Sequence, residues 1–295
     1  ERLADAHLGG LTTILGGVAA MNHGAWRRAL RLVDDGAAHL RRGAVADDTW
    51  ERGIAHSMAM HAHLMLGEFP AMLARADRMR RDAEDTGDRF AAVVAILYVA
   101  HAALADGDPA GARAHVRKAL SMWTYDRFSF QHWLALGVEV ACDLYQGRGA
   151  AAWRRVAAAW PALRRSQLLR MRVPRIDAHL LRASAALAAG LPALRREAAH
   201  QAELLGGESI GLAAAARALI DAQLAALSRD PAAAARLALA ADRLAAGEMS
   251  ALAAAVRLAA ARVLGGDTDE PSHALARLGV RDPKRWSATV APALR

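Results

Sequence analysis

The chain has 295 residues, 54% of them hydrophobic but only 5% aromatic, and its 38 Lys+Arg against 30 Asp+Glu leave a net charge of +8. The apolar fraction is mostly Ala and Leu, with Val and Ile sparse, which argues against a sheet-built core and for helix throughout. The basic excess is small and nearly all arginine, too weak to assign a nucleic-acid partner; the single cysteine, Cys142, excludes an internal disulfide and a cysteine zinc site and fits a reducing, cytoplasmic compartment.

Residues 6–26 carry no Asp, Glu, Lys or Arg, the charge profile of a membrane span. Gly9, Gly10, Gly16, Gly17 and Gly24, with Thr12, Thr13, Asn22 and two histidines, make the stretch too polar and broken to be one. Ahead of it, Glu1-Arg2-Leu3-Ala4-Asp5 lacks the basic start and apolar core of a secretory signal. The chain begins without Met in a register that is already helical, so other sequence is expected to precede it.

From there the organising signal is a period. Turn markers fall at Gly24, Gly67, Gly107, Gly147, Gly190, Arg229 and Gly265, 36–43 residues apart. An apolar run precedes each marker and a more charged run follows it. Helix pairs are therefore predicted at 3–22 with 25–41, 47–66 with 69–85, 88–105 with 109–123 and 128–146 with 150–165. Three more follow at 167–189 with 192–205, 208–227 with 231–245 and 249–264 with 270–278. A single hairpin cannot bury its own apolar face, so the units stack: an all-α solenoid of about seven helical hairpins, with a concave and a convex side, forming one domain over 1–295.

The third unit shows the local chemistry. Asp106-Gly107-Asp108-Pro109 stops one helix and starts the next: glycine tolerates the left-handed conformation, Asp108 can cap, and Pro109 suits the first helical position. The second helix then reads Ala112, Val116, Ala119, Leu120, an apolar stripe. Ser228-Arg229-Asp230-Pro231 repeats this logic, and Ala29, Ala112, Ala152 and Ala234 are the small residues expected to let paired helices approach closely. Pro174, inside a first helix, should kink it or delay its start.

The pattern Gly-Asp-Pro-x-x-Ala-x-x-x-Val-x-x-Ala-Leu at 107–120 resembles the second half of a tetratricopeptide repeat, which implies a right-handed superhelix; the units here are longer than that family's, and its large aromatic positions are mostly Ala, Leu or Val. A narrower resemblance is carried by Phe128-Ser129-Phe130-Gln131-His132-Trp133-Leu134-Ala135-Leu136, Asp143-Leu144-Tyr145 and Trp160-Pro161-Ala162-Leu163-Arg164-Arg165-Ser166, together with the ending Leu278 to Trp286. These are similar to the C-terminal helical-repeat region of large bacterial Ser/Thr protein kinases. The resemblance covers about half the chain. It implies that these residues are the C-terminal part of a longer multidomain signalling protein, with a kinase and often a STAND-type ATPase module ahead of them.

Candidate sites are few. His56, His61 and His63 cluster on one predicted helix but lack carboxylate or further histidine partners at metal-binding spacing, so they are expected to line the concave surface and no metal is predicted. The segment 122–133 concentrates aromatics; it either pins a connection by packing, the favoured reading, or forms a recess built from Trp123, Asp126, Arg127, Gln131, His132 and Trp133. Between Asp143 and Asp177 no acid occurs, yet Arg148, Arg154, Arg155, Arg164, Arg165, Arg170, Arg172 and Arg175 do. All but Arg148 are candidates for a patch that docks an acidic or phosphorylated segment; the alternative is a solvated rim. Asp34-Asp35 and Asp47-Asp48 read as helix-end charges, and Cys142 as a buried structural residue. No GxxxxGK[ST], no GxGxxG after a strand, and no HRD or DFG is present. The expected function is thus non-catalytic and free of cofactor: contact with a protein partner or an upstream domain of the same chain, without nucleic acid or membrane. The alternative is a sensor holding a peptide or small molecule in the concave groove.

Overall fold

The computed structural model describes residues 2–43 and 49–294, and among them the regular structure is helical throughout, with no strand. The helices are α1 (Arg2–Asn22), α2 (Trp26–Gly43), α3 (Thr49–Leu66), α4 (Phe69–Thr86), α5 (Arg89–Ala105), α6 (Pro109–Met122), α7 (Phe130–Tyr145) and α8 (Gly149–Arg165). After a 3-10 turn, Leu168–Arg170, come α9 (Arg172–Ala188), α10 (Pro192–Gly206), α11 (Gly211–Leu227), α12 (Ala233–Ala246), α13 (Ser250–Leu264), α14 (Asp269–Arg277) and α15 (Pro283–Val290). Each α-helix packs on the next in sequence, as in an α-solenoid. No described helix is long and apolar enough to cross a membrane.

All seven turn markers adopt left-handed backbone, including the non-glycine Arg229 at φ 53°. In the third unit the Gly111 N–H donates to Asp108 Oδ1 at 2.8 Å with Pro109 in the first turn, as the stop-and-start chemistry requires. Pro174 delays its helix: α9 begins only at Arg172, after the 3-10 turn, and places the proline in its first turn, where no intrahelical N–H is missed.

α1 runs unbroken over the predicted stretch, and a glycine in it serves close packing: a Cβ at Gly10 would lie 2.8 Å from Leu40 Cδ2 and 3.1 Å from the Gly36 carbonyl of α2. Three expectations are revised. Asp34 and Asp35 lie in the middle of α2, where Asp34 pairs with Arg75 of α4; Asp47-Asp48 and the predicted start at 47 lie outside the described residues. α12 starts at Ala233, so Ala233 is buried and Ala234 exposed, whereas Ala29, Ala112 and Ala152 are buried as expected. Finally, α15 follows the last predicted element, capped by Asp282 through the Arg285 N–H at 2.9 Å.

The stack bends until its two ends meet. Arg27 of α2 reaches Glu248 beside α13 at 3.2 Å, and a Cβ on Gly67 would lie 2.7 Å from Ala251 of α13. With φ at +77° as well, Gly67 is constrained twice, by backbone and by contact. The C-terminal segment crosses this junction. The Arg281 N–H donates to the Ala105 carbonyl (2.9 Å), Trp286 meets Phe69 edge-on (6.1 Å), and the Ala293 N–H donates to Gln223 Oε1 (3.1 Å). α5, apolar on every side, is buried around its circumference at the centre of a continuous core.

Candidate functional site

Because the stack curls on itself, its concave face becomes the wall of a cavity of about 1110 Å³. That is slightly above the usual range of small-molecule sites, about 300–1,000 Å³. α1, α3, α5, α7, α9, α11, α12, α13 and α15 contribute side chains. Most of the wall is apolar, with Met58, Met65, Phe130, Trp133 and Leu180 among its members, and Trp286 and Val290 bring the C-terminal helix to it.

One part of the wall is polar. Ser57 and His61 stand one turn apart on α3, Tyr98 and His101 one turn apart on α5, and Asp177 joins them from α9. His61 Nε2 lies 3.8 Å from Asp177 Oδ2, too far for a direct hydrogen bond. Burial lowers both His61 and His101 to about 4, so both are neutral near pH 7; a charge on His61 would further oppose one on His101. Burial alone pushes Asp177 up to about 7. It also raises Tyr98, whose ring is fully buried. Among the described residues the Tyr98 hydroxyl and His61 Nε2 have no hydrogen-bond partner; Ser57 neighbours the phenol without completing a bond of normal geometry. A buried polar atom left unsatisfied costs about 1–3 kcal/mol, so these groups are suited to a bound polar group.

The three histidines singled out in the sequence diverge. His61 faces the cavity, His63 Nδ1 contacts Glu68 Oε2 at 2.9 Å, and His56 lies near Arg75, where burial lowers it to about 4. No group of three potential metal ligands forms among the described residues. Cys142 is buried, its thiol pushed up to about 12 by burial, with Sγ directed at the Pro109 carbonyl (3.7 Å). Gly207-Glu208-Ser209-Ile210-Gly211 has GxSxG spacing that the sequence reading passed over. Here it joins two helices, leaves Ser209 exposed and engages Glu208 in ion pairs, so the strand-to-helix elbow the motif needs is missing.

The arginine stretch divides. Arg155 bonds Asp143 (3.1 Å) and Glu139 (3.3 Å) of α7, where Arg113 and Arg148 join it, and Asp143 is only 2% exposed. Arg175 binds Glu208 at 2.5 Å and the Leu169 carbonyl at 3.0 Å, and Arg172 lies 3.6 Å from Glu208; both line the cavity. Arg154, Arg164, Arg165 and Arg170 are exposed and make no ion pair among the described residues. Arg154 and Arg165, eleven residues apart, share one face of α8, and Arg170 lies at the cavity edge.

In the aromatic segment, packing accounts for most of the chemistry. Trp123 Nε1 donates to Ser129 Oγ (3.0 Å), the Ser129 N–H donates to His132 Nδ1 (3.3 Å), and Phe128 stacks on His132. Gln131 is buried, and Asp126 and Arg127 are exposed. Of the six recess candidates only Trp133 lines the cavity. The cavity's polar residues Ser57, Tyr98, His101 and Asp177 were not anticipated. Their signal is a polar side chain breaking the apolar face of a first helix, at one-turn spacing on α3 and again on α5. No protein-family model, curated protein or solved structure matches this chain.

Proposed function

We propose that this chain is a non-catalytic regulatory module that senses a small, largely apolar molecule bound inside its curled solenoid and relays occupancy to a domain or partner joined to it. The observation that carries the reading is the cavity: a wall drawn from nine helices, mostly apolar, with one cluster of polar groups. Each methylene moved from water into such a site contributes about 0.8 kcal/mol, so a medium-length hydrocarbon can outweigh the cost of association. Since the wall joins helices from both ends of the chain, filling it favours the curled form over any opened one. The resemblance to kinase-associated repeats supports a kinase or ATPase module as the receiver of that signal.

Gly137 supplies the test. It lies within α7 on the cavity wall, and a Cβ there would meet nothing within 4 Å. Gly137→Phe should project into the cavity while improving a helical position. In calorimetry and thermal-shift assays, octanol should bind the parent saturably and raise its melting temperature. The variant should melt no lower than the parent and bind octanol at least about tenfold more weakly, a loss of about 1.4 kcal/mol. Equal binding by the folded variant, or no saturable binding by the parent, would remove the cavity as the site.

A second reading, docking of an acidic or phosphorylated protein segment, is favoured by one observation: Arg154, Arg164, Arg165 and Arg170 are exposed without ion pairs among the described residues. The two readings are compatible, the patch then being a contact through which occupancy is relayed.

A further inference from the structure

We infer that the cavity selects hydrophobic amines, with the ammonium group held by Asp177, His61 and the Tyr98 hydroxyl and the hydrocarbon body laid against the apolar wall. This rests on the cavity being a ligand site.

Asp177 is the one acidic residue on the wall among the described residues. The arginines nearest it in sequence are committed elsewhere: Arg175 to Glu208 and the Leu169 carbonyl, and Arg172 to Glu208. Among the described residues the one basic side chain in contact with its carboxyl is His61, which burial keeps neutral, so none of them supplies Asp177 with a cation. A ligand ammonium supplies it.

The geometry fits one nitrogen. Asp177 Oδ2 and His61 Nε2 are 3.8 Å apart, a gap that a single nitrogen bridges with bonds of about 2.8–3.0 Å to each. An ammonium has three N–H donors, and the Tyr98 oxygen, buried on the same polar wall with no hydrogen-bond partner among the described residues, is a third acceptor. His101 and Ser57 complete the polar surround and carry no charge.

Other head groups fit less well. A carboxylate or phosphate would set its charge against Asp177. Its natural counter-ion, Arg170, is exposed at the cavity edge, and no charged neighbour perturbs the Asp177 carboxyl. An alcohol has one proton to give and leaves acceptors unsatisfied.

Octylamine, octanol and octanoate share a hydrocarbon body and differ in the head, so calorimetric titration of the full chain with each separates the cases. Octylamine should bind at least about tenfold tighter than octanol, and octanoate weakest. Asp177→Asn, which keeps the side chain's shape, should abolish that preference while leaving octanol affinity within about threefold. Tyr98→Phe, nearly isosteric, should shrink the preference without weakening octanol and serves as the second variant if Asp177→Asn melts early. Equal affinities for the three compounds, or a preference for octylamine that survives both substitutions, would overturn the amine assignment while leaving the cavity as an apolar site. Failure of all three to bind the parent would instead overturn the cavity reading, and the amine assignment with it.

Discussion

Burial displaces the ionisation of three histidines and of Asp177 far from its ordinary range, and the signs oppose one another. His56, His61 and His101 fall to about 4 from an ordinary 6.5, so below pH 6.5 the unfolded chain takes up protons that the folded one refuses. Their contribution is therefore complete above 6.5 and lost as the pH falls towards 4, each on the order of 1–3 kcal/mol. Asp177 works the other way. Raised to about 7 from 3.8, it holds in the folded state a proton that the unfolded chain releases, so its contribution is complete below 3.8 and lost as the pH rises through 7. Melting temperature should climb from pH 4.5 to a maximum near pH 6.5. Asp177→Asn should steepen the acid limb by removing the opposing group, and His101→Leu should flatten it; unchanged slopes would mean ordinary titration at these sites. A second expectation concerns Asp143, where Arg113, Arg148 and Arg155 converge on one nearly inaccessible carboxylate. Asp143→Ala leaves those guanidinium groups without their shared anion and should cost about 3–5 kcal/mol in urea denaturation, whereas Arg154→Ala should cost under about 0.5 kcal/mol. The sequence exposes the run of arginines but not their partners, because Glu139 and Glu208 reach them only through the packing of neighbouring helices.

At the level of elements, helix type and turn position were legible because they depend on local chemistry: apolar periodicity, left-handed turn residues, and Asp-Pro starts. Where one of these signals was overlooked, an element was lost with it. Asp282-Pro283 repeats the Asp108-Pro109 signature, yet α15 went unpredicted; it caps itself through the Arg285 N–H just as α6 does through the Gly111 N–H. The burial of Ala233 in place of Ala234 has a different origin: Asp230 accepts from the Ala232 N–H in a turn, which sets the helix start two residues later than the predicted 231. The cavity was not legible, because an open concave groove and a curled wall have the same hairpin sequence, and the difference lies in contacts between residues far apart in the chain. α15 is where that difference can be tested. Trp286→Ala removes a buried ring packed on Phe69 and should destabilise by about 3–5 kcal/mol, with octanol affinity falling too because the same ring lines the cavity. Asp282→Ala, which removes only a cap, should cost about 1 kcal/mol and leave affinity nearly intact. Equal effects of the two substitutions would mean that α15 rests on its cap rather than on its contact with the cavity.

For the whole molecule, the exposed arginines and the curled architecture make separate predictions. Replacing Arg154, Arg164, Arg165 and Arg170 together with Glu should leave helicity and melting temperature nearly unchanged, since none of them makes an ion pair among the described residues. Each exposed contact to a partner would contribute only about 0.2–1 kcal/mol, so the four must act together. Binding of an acidic peptide to the parent, lost in the quadruple variant and weakened by salt, is the expected outcome; salt-insensitive binding that survives the reversal would reduce the arginines to a solvated rim. The meeting of Arg27 with Glu248 and of Gly67 with Ala251 bears on how the chain comes apart. A linear array of repeats frays from its termini, because each end unit has only one neighbour to hold it. Here α3 borders α13, and the strap from Arg281 to Ala293 ties the α5 turn to α11, so the outer units gain a second neighbour. Native-state hydrogen exchange should therefore find the amides of α3 and α13 opening with free energies close to those of α5, not graded from middle to end. Cutting the strap should restore that gradient: closed, the solenoid melts as one cooperative body, and opened, it unzips.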